Sequence, residues 1–179
     1  MPLRVVRDAR GTQVVRDARG TQVVRDARGT QVVRIARSAH PVWSGTGAAM
    51  GGGRWNAVGV PVIYAASSKA LSMLEVLVQG GDLSVPRAAV TATIPDDVAV
   101  EDLAPLPPGW REIDSPAAMA AGTEWVIAGR TAVLRVPSVI VPEEANYLIN
   151  PTHPAAARIV VSEPVPVEWD PRLFGIVGP

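Results

Sequence analysis

The segment VPVIYAASSKALSMLEVLV, residues 60–78, decides the fold because it joins a buried strand directly to an amphipathic helix. VPVIYAA (60–66) is a short apolar run that predicts a buried strand. Ser67 and Ser68 follow as candidate N-cap residues. The helix that they begin carries a broad apolar stripe before a Gly-Gly pair ends it. The segment therefore predicts a strand followed at once by a helix.

The rest of the chain predicts more strands than helices, and the strands mostly follow one another. This order favours an α+β fold over a doubly wound sheet. The further predicted elements are a strand at 33–37, a glycine-rich loop at 44–59, a strand at 88–94, a Pro-rich connector at 102–110, a helix from Ser115 to about Ile127, and several strands beyond it.

Composition limits the class of protein. The 179 residues are 47% hydrophobic and 19% charged, which predicts a folded chain with one main core. Cysteine is absent, so a disulfide scaffold, a thiolate zinc site and a cysteine nucleophile are excluded together. No apolar run is long enough for a membrane span, and no secretory signal is visible. We therefore expect a cytoplasmic location without a membrane partner.

The N-terminus contains the nonamer VRDARGTQV three times without change, at 6–14, 15–23 and 24–32. Identical copies indicate a recent duplication, since structural repeats normally drift in sequence. Residues 1–37 hold nine Arg against three Asp, a net charge of +6. We predict a mobile basic arm at 1–32 and a folded domain at 33–179; a meander of short strands and a helix broken at each Gly are alternatives. The arm lacks aromatic residues for base stacking, so specific nucleic-acid binding is not expected.

The loop GGGRWN (51–56) is a candidate binding segment. A glycine run lets backbone N–H groups face an anion, and Arg54 directly after Gly53 offers a bidentate charged contact. The alternative is an ordinary tight turn, because the spacing matches neither of the common phosphate-binding motifs.

Glu75 and Tyr64 are the next candidates. Glu75 lies at the edge of the apolar stripe of the predicted helix, so it is either a solvated residue or a carboxylate that points into a cleft. Tyr64 ends the preceding strand and is either a core aromatic or a cleft residue. His40 and His153 each stand next to Pro in predicted turns, so no metal site is expected.

Three segments in order resemble the RES domain: RIAR at 34–37, GTGAAMGGGRWNAVGVPVIYAASSKALSMLEVLV at 45–78, and LRVPSVIVPEEANYLINPTHP at 134–154. The RES domain is the toxin component of RES–Xre toxin–antitoxin modules. The resemblance covers about residues 33–170. It implies an ADP-ribosyltransferase-like split mixed β-sheet with surrounding helices around an NAD cleft.

The resemblance also implies an activity. RES toxins degrade NAD by hydrolysis or phosphorolysis of the nicotinamide–ribose bond, or transfer ADP-ribose to a protein. NAD is then a substrate, and no cofactor is implied. The implied partner is an Xre-like helix-turn-helix antitoxin, in a complex that allows a homodimer. A nucleotide- or DNA-associated binding module without turnover is the alternative from another class.

The site residues implied by the resemblance are Arg34, Gly53, Arg54, Tyr64, Glu75, Ser138 and Asn150. Cleavage of NAD expels neutral nicotinamide and leaves an oxocarbenium-like ribose, so the enzyme needs one carboxylate near the ribose and cations near the diphosphate. By this resemblance Glu75 stabilises the ribose cation, and Arg34 and Arg54 clamp the diphosphate. Tyr64 packs the nicotinamide, and Ser138 binds the ligand or orients Glu75.

Overall fold

The structure, a computed structural model, describes residues 4–7, 13–16, 22–25, 29–80 and 84–174. The strands are β1 Arg4–Arg7, β2 Gln13–Arg16, β3 Gln22–Arg25, β4 Gly29–Arg37, β5 Ile63–Ala66, β6 Arg87–Pro95, β7 Val100–Asp102, β8 Val133–Pro137, β9 Ala145–Ile149, β10 Val160–Val161 and β11 Val165–Pro166. The helices are α1 Thr46–Gly51, α2 Lys69–Val78 and α3 Pro116–Ala128, with 3₁₀ helices at Pro154–Arg158 and Pro171–Phe174. Within the described ranges, no helix has the length and apolar character needed to cross a membrane.

Strands β4 to β11 form one mixed sheet. Its order is β10-β6-β4-β5-β9-β8-β7, and β11 also pairs with β6. Strands β7 and β8 are parallel, whereas the other neighbours are antiparallel. The predicted α+β class is confirmed.

The main sheet is divided into two halves that meet at one residue pair. Strand β4 pairs with β6 over its whole length, and β5 pairs with β9 over its whole length. Between β4 and β5 the register contains only Val33 opposite Ala66. The sheet is therefore split between β4 and β5, as the resemblance implied.

The half that contains β5, β8 and β9 is buried on both faces. Ile63 and Val133 belong to one apolar cluster, whereas Val62, Leu134 and Leu148 belong to another with Trp125 of α3. Alternate side chains of a strand point to opposite faces, so strands covered on both sides need apolar residues throughout. This explains why VPVIYAA is a continuous apolar run.

Helices α2 and α3 begin where the sequence predicts. The Ser68 hydroxyl accepts a hydrogen bond from Leu71 N, and the Ser115 hydroxyl accepts one from Ala118 N, so both serines act as N-caps. The loop predicted over 44–59 is wrong in part, because α1 forms inside it. The sequence Ala-Ala-Met within α1 favours a helix, and the glycines that flank it limit the helix to one and a half turns.

The repeats pair with one another in the described residues. Strands β1, β2 and β3 form an antiparallel sheet of three, which corresponds to the meander considered above. The end of the third repeat instead belongs to β4, in which Val32 is fully buried. The predicted boundary at residue 33 thus falls inside β4. That residues 1–32 form a mobile arm stays a prediction.

Candidate active site

Glu75 is a partly buried carboxylate near the junction of the two half-sheets. Its Oε1 accepts a hydrogen bond from Asn146 Nδ2 at 2.6 Å and one from Ser138 Oγ at 3.3 Å. Among the described residues, its Oε2 has no hydrogen-bond partner. Asn146 and Ser138 therefore fix the Glu75 carboxylate through one of its oxygens only.

Ser138 is fully buried in the turn between β8 and β9, and its hydroxyl orientation is fixed. Its Oγ accepts hydrogen bonds from Ile140 N at 3.1 Å and Val141 N at 3.2 Å. Because both backbone groups are donors, the hydroxyl hydrogen is directed to Glu75. Of the two roles predicted for Ser138, the structure supports the orientation of Glu75.

Asn146 was missed by sequence reasoning. It lies in β9, opposite Ala66 of β5, and Ala66 is also the residue that pairs with Val33 across the split. The available signal was an amide side chain inside an otherwise apolar strand, since a polar residue at such a position usually has a buried partner. Sequence reasoning selected Asn150 instead, four residues further along β9 and its turn.

Asn150 is almost fully buried, and its side chain is used within the fold. Its Nδ2 donates to Val126 O, and its Oδ1 accepts from Thr152 N and Thr152 Oγ1. These bonds attach the turn after β9 to the end of α3. The role of Asn150 in NAD binding stays a prediction, and its described contacts are structural.

Glu144 connects the N-terminus of α2 to the turn that carries Ser138. Its Oε2 accepts hydrogen bonds from Ser67 Oγ and Ser68 Oγ, both at 2.7 Å, and these bonds lower the pKa of Glu144, with that from Ser68 the larger cause. Its backbone oxygen accepts from Ser138 N at 3.0 Å. One residue thus fixes the start of the helix that holds Glu75 relative to Ser138.

Arg34 spans the split in the sheet. Its Nε donates to Val42 O at 2.7 Å, one terminal nitrogen donates to Tyr64 O at 2.8 Å, and the other donates to Ser44 O at 3.2 Å. Burial lowers the pKa of Arg34, but a guanidinium stays charged in proteins. Three of its five N–H groups are used here, so two remain for a ligand.

Tyr64 and the GGGRWN segment form a rigid turn. The Tyr64 hydroxyl donates to Asn56 Oδ1 at 2.7 Å and accepts from Trp55 N at 3.1 Å. Burial raises the pKa of Tyr64, so its hydroxyl stays protonated. A Cβ on Gly53 would lie 2.8 Å from the Tyr64 hydroxyl oxygen, so only glycine allows this approach.

The backbone of this turn is used internally. Gly53 N donates to Asn56 O and Gly52 N donates to Ala48 O, so neither N–H is available to an anion in this structure. The contact of Gly53 with NAD stays a prediction, and its visible role is steric.

Arg54 attaches the Pro-rich connector to the glycine-rich turn. One of its terminal nitrogens donates to Trp110 O at 2.7 Å and to Glu112 O at 2.6 Å. Beside it, the rings of Trp55 and Trp110 stack with centroids 6.1 Å apart. The contact of Arg54 with a diphosphate stays a prediction, and its described bonds are structural.

The histidines belong to turns in the described part of the chain. His153 Nδ1 accepts from Ala155 N at the start of a 3₁₀ helix. No group of three or more metal-ligating side chains occurs in residues 29–80 and 84–174 or in the three N-terminal strands.

The fold and the site together define an α+β domain with one oriented carboxylate and one arginine, Arg34, near the junction of a split sheet, and with Arg54 attached to the connector at Trp110 and Glu112. Residues 31–170 match the RES domain, so the chain belongs to the RES domain family and the predicted membership is confirmed. The chain is 46% identical over 138 residues to "Prs ADP-ribosylating toxin" of Sphingobium sp. (strain YBL2), covering 73% of this chain and 86% of that protein. It is 42% identical over 113 residues to "Toxin Res" of Photorhabdus laumondii, covering 61% of this chain and 72% of that protein.

A solved structure has the same fold. One chain of the MbcT–MbcA toxin–antitoxin complex of M. tuberculosis superimposes on this chain with a TM-score of 0.65. The match covers 81% of this chain and 86% of that chain. The identity is 21%, so this likeness concerns the fold.

Proposed function

We propose that this chain is the toxin of a toxin–antitoxin module and that it cleaves the nicotinamide–ribose bond of NAD. The observation that carries the proposal is the geometry of Glu75, whose Oε1 is held by Asn146 and Ser138 while Oε2 has no protein partner in the described chain. A fixed carboxylate stabilises a developing cation without reorganising during the reaction. Membership of the RES domain family and the names of the relatives support the assignment.

The chemistry needs few groups. The bond between the ribose C1′ and the pyridinium nitrogen breaks, and its electron pair leaves with neutral nicotinamide. The carboxylate of Glu75 stabilises the cation left on the ribose. An acceptor oxygen then bonds to C1′, and its proton is released to solvent. Arg34 and Arg54 hold the diphosphate with the N–H groups that the fold leaves free, so a chain without cysteine suffices for catalysis.

The acceptor distinguishes the reactions within this proposal. Water gives ADP-ribose, inorganic phosphate gives its phosphorylated form, and a protein acceptor gives a modified protein. Transfer to a protein is the second candidate, because the Sphingobium relative is named as an ADP-ribosylating toxin.

The test is product analysis with purified protein and NAD, with and without phosphate and with a cell extract that contains labelled NAD. Nicotinamide release in every condition is expected. Binding of NAD without nicotinamide release would favour a non-catalytic nucleotide-binding module, and salt-sensitive retention on DNA without NAD loss would favour a DNA-associated one.

The proposal includes an antitoxin partner of the Xre-like helix-turn-helix class and a cytoplasmic location. The antitoxin partner is supported by the similarity in fold to a toxin that was solved with its antitoxin. Co-expression of the neighbouring gene product, followed by size-exclusion chromatography, tests the partner and shows whether the complex contains a toxin homodimer. Suppression of NAD loss in that complex is the expected result.

A further inference from the structure

The asparagine of the GGGRWN segment uses its whole side chain inside the protein. Asn56 is fully buried. Its Nδ2 donates to Ala48 O at 2.9 Å, to Val60 O at 2.9 Å and to Ala57 O at 3.1 Å. Its Oδ1 accepts a hydrogen bond from the Tyr64 hydroxyl at 2.7 Å. Three carbonyl oxygens around the nitrogen and one hydroxyl at the oxygen fix the orientation of the amide.

These hydrogen bonds join three parts of the chain. Ala48 lies in α1, Ala57 and Val60 lie in the segment that leads to β5, and Tyr64 lies in β5 itself. One amide therefore holds the helix before the glycine run and the strand after it in a fixed relation.

The backbone of Asn56 closes the turn that carries Arg54. Gly53 N donates to Asn56 O at 2.9 Å, and Asn56 N donates to Gly53 O at 3.3 Å. The two residues enclosed by this pair are Arg54 and Trp55. Because the residue that closes the turn is also the one whose side chain is anchored, the position of Arg54 relative to β5 depends on Asn56.

The groups that hold Glu75 are separate from this network. Asn146 and Ser138 bond to the Glu75 carboxylate. Within the described residues, no hydrogen bond joins Asn56 to Glu75 or to either of its partners. A change at Asn56 should therefore move the groups that the turn presents and leave the carboxylate in place.

We infer that Asn56 is a positioning residue of the candidate active site, whose amide fixes the turn that presents Arg54 and thereby sets the affinity for NAD. Asn56 acts without contact to the ligand, since it is fully buried. The glycines allow the close approach in this turn, whereas Asn56 supplies the hydrogen bonds that maintain it. The inference rests on the proposed function where it concerns NAD, and its structural part stands without that function.

Hydrogen exchange measured by mass spectrometry tests the structural part. In Asn56→Ala, the amide hydrogens of residues 53–57 should exchange about tenfold faster or more, because the turn loses its anchor and opens locally. Those of β6 should exchange as in the unmodified protein. Thr131→Val is the control, because it removes a hydrogen bond from Trp125 Nε1 outside the turn. Unchanged exchange in 53–57, or an equal acceleration in β6, overturns the inference.

The kinetics of nicotinamide release test the link to NAD. Asn56→Ala should raise KM about tenfold and change kcat by less than about threefold, because Glu75 keeps its partners while the turn is displaced. Thr131→Val should change neither constant. A KM within about twofold of that of the unmodified protein, or a fall in kcat alone, contradicts the positioning role.

Tyr64→Phe is a milder change in the same network. It keeps the ring and removes the hydroxyl that donates to Asn56 and accepts from Trp55 N. It should raise KM, and its combination with Asn56→Ala should raise KM by less than the product of the two single effects, because both changes remove one shared bond. Fully multiplicative effects contradict this coupling.

If Asn56→Ala does not fold, Tyr64→Phe alone is compared with Thr131→Val in both measurements, and the same outcomes decide the inference. If the unmodified protein does not release nicotinamide from NAD, the proposed function is wrong. The exchange rates of residues 53–57 still decide whether Asn56 fixes the turn.

Discussion

Replacement of Glu75 by Gln is expected to leave the fold intact and to lower NAD turnover by about 100-fold or more. In the variant, the amide oxygen can accept the hydrogen bonds from Asn146 and Ser138 that Oε1 accepts in the unmodified protein. The amide nitrogen then takes the place of Oε2. The ribose cation therefore meets a donor group with a partial positive charge where it previously met a negative charge.

The magnitude follows from the charge that is removed. Two unit charges about 4 Å apart interact by about 4 kcal/mol at an effective dielectric constant of about 20. A loss of about 2.7 kcal/mol from the transition state already slows a reaction about 100-fold. Partial burial of Glu75 and the fixed position of its carboxylate make this dielectric value suitable.

The assay is nicotinamide release at saturating NAD, with thermal unfolding measured on the same samples. Glu143→Gln is the matched control, because Glu143 is an exposed carboxylate in the neighbouring turn and should retain full activity. An unchanged melting temperature with a turnover within a factor of a few of the unmodified protein would refute the role of Glu75.

Four further changes test other parts of the site and fold. Glu144→Ala should lower kcat about three- to tenfold with KM unchanged, because the hydrogen bonds from Ser67 and Ser68 that position α2 are lost. Glu144→Gln should restore kcat, and Glu143→Ala should have no effect. An unchanged kcat in Glu144→Ala would contradict the positioning role of Glu144. Arg54→Lys should weaken apparent NAD affinity about tenfold, the value of one charged hydrogen bond, with Arg37→Lys as control; equal affinities assign Arg54 to the turn alone. Gly122→Ala should destabilise the protein by about 1–3 kcal/mol in denaturant unfolding, because its Cβ would overlap the backbone oxygen of Trp55, whereas Gly47→Ala meets open space. Deletion of residues 6–32 joins Val5 to Val33 and supplies a valine in place of the buried Val32, so fold and turnover should persist; loss of the circular dichroism signal of the folded protein would show that the repeats are needed.

The predicted elements with local signals were found where expected. Ser68 and the Ser115-Pro116 pair cap their helices through atoms a few residues away, so sequence alone is sufficient to place them. The one and a half turns of α1 were missed because its glycines are also typical of a loop. A helix this short has little periodicity to detect.

The sequence predicted which residues form the candidate site, but it predicted few of the contacts that those residues make. Glu75 was identified by its place at the edge of the apolar stripe and Ser138 through the resemblance, but their bond joins residues 63 apart in sequence. Arg34 and Arg54 bind backbone carbonyls that lie 30 and 58 residues away, and no local pattern encodes such a partner. Asn146 was missed for the same reason, since its role depends on a hydrogen bond to Glu75 that lies 71 residues away in sequence.

The two half-sheets are joined by a single backbone pair between β4 and β5. Each half-sheet has backbone pairing along the length of its strands, whereas the backbone pair of Val33 with Ala66, the guanidinium of Arg34 and helix α2 connect the halves. Local opening of a protein follows the boundaries at which few bonds must break. Helix α2, which carries Glu75, packs against both β4 and β5. The helix and the guanidinium of Arg34 therefore bridge the place where the sheet itself has the fewest bonds, and a change in either should alter the spacing of the two half-sheets.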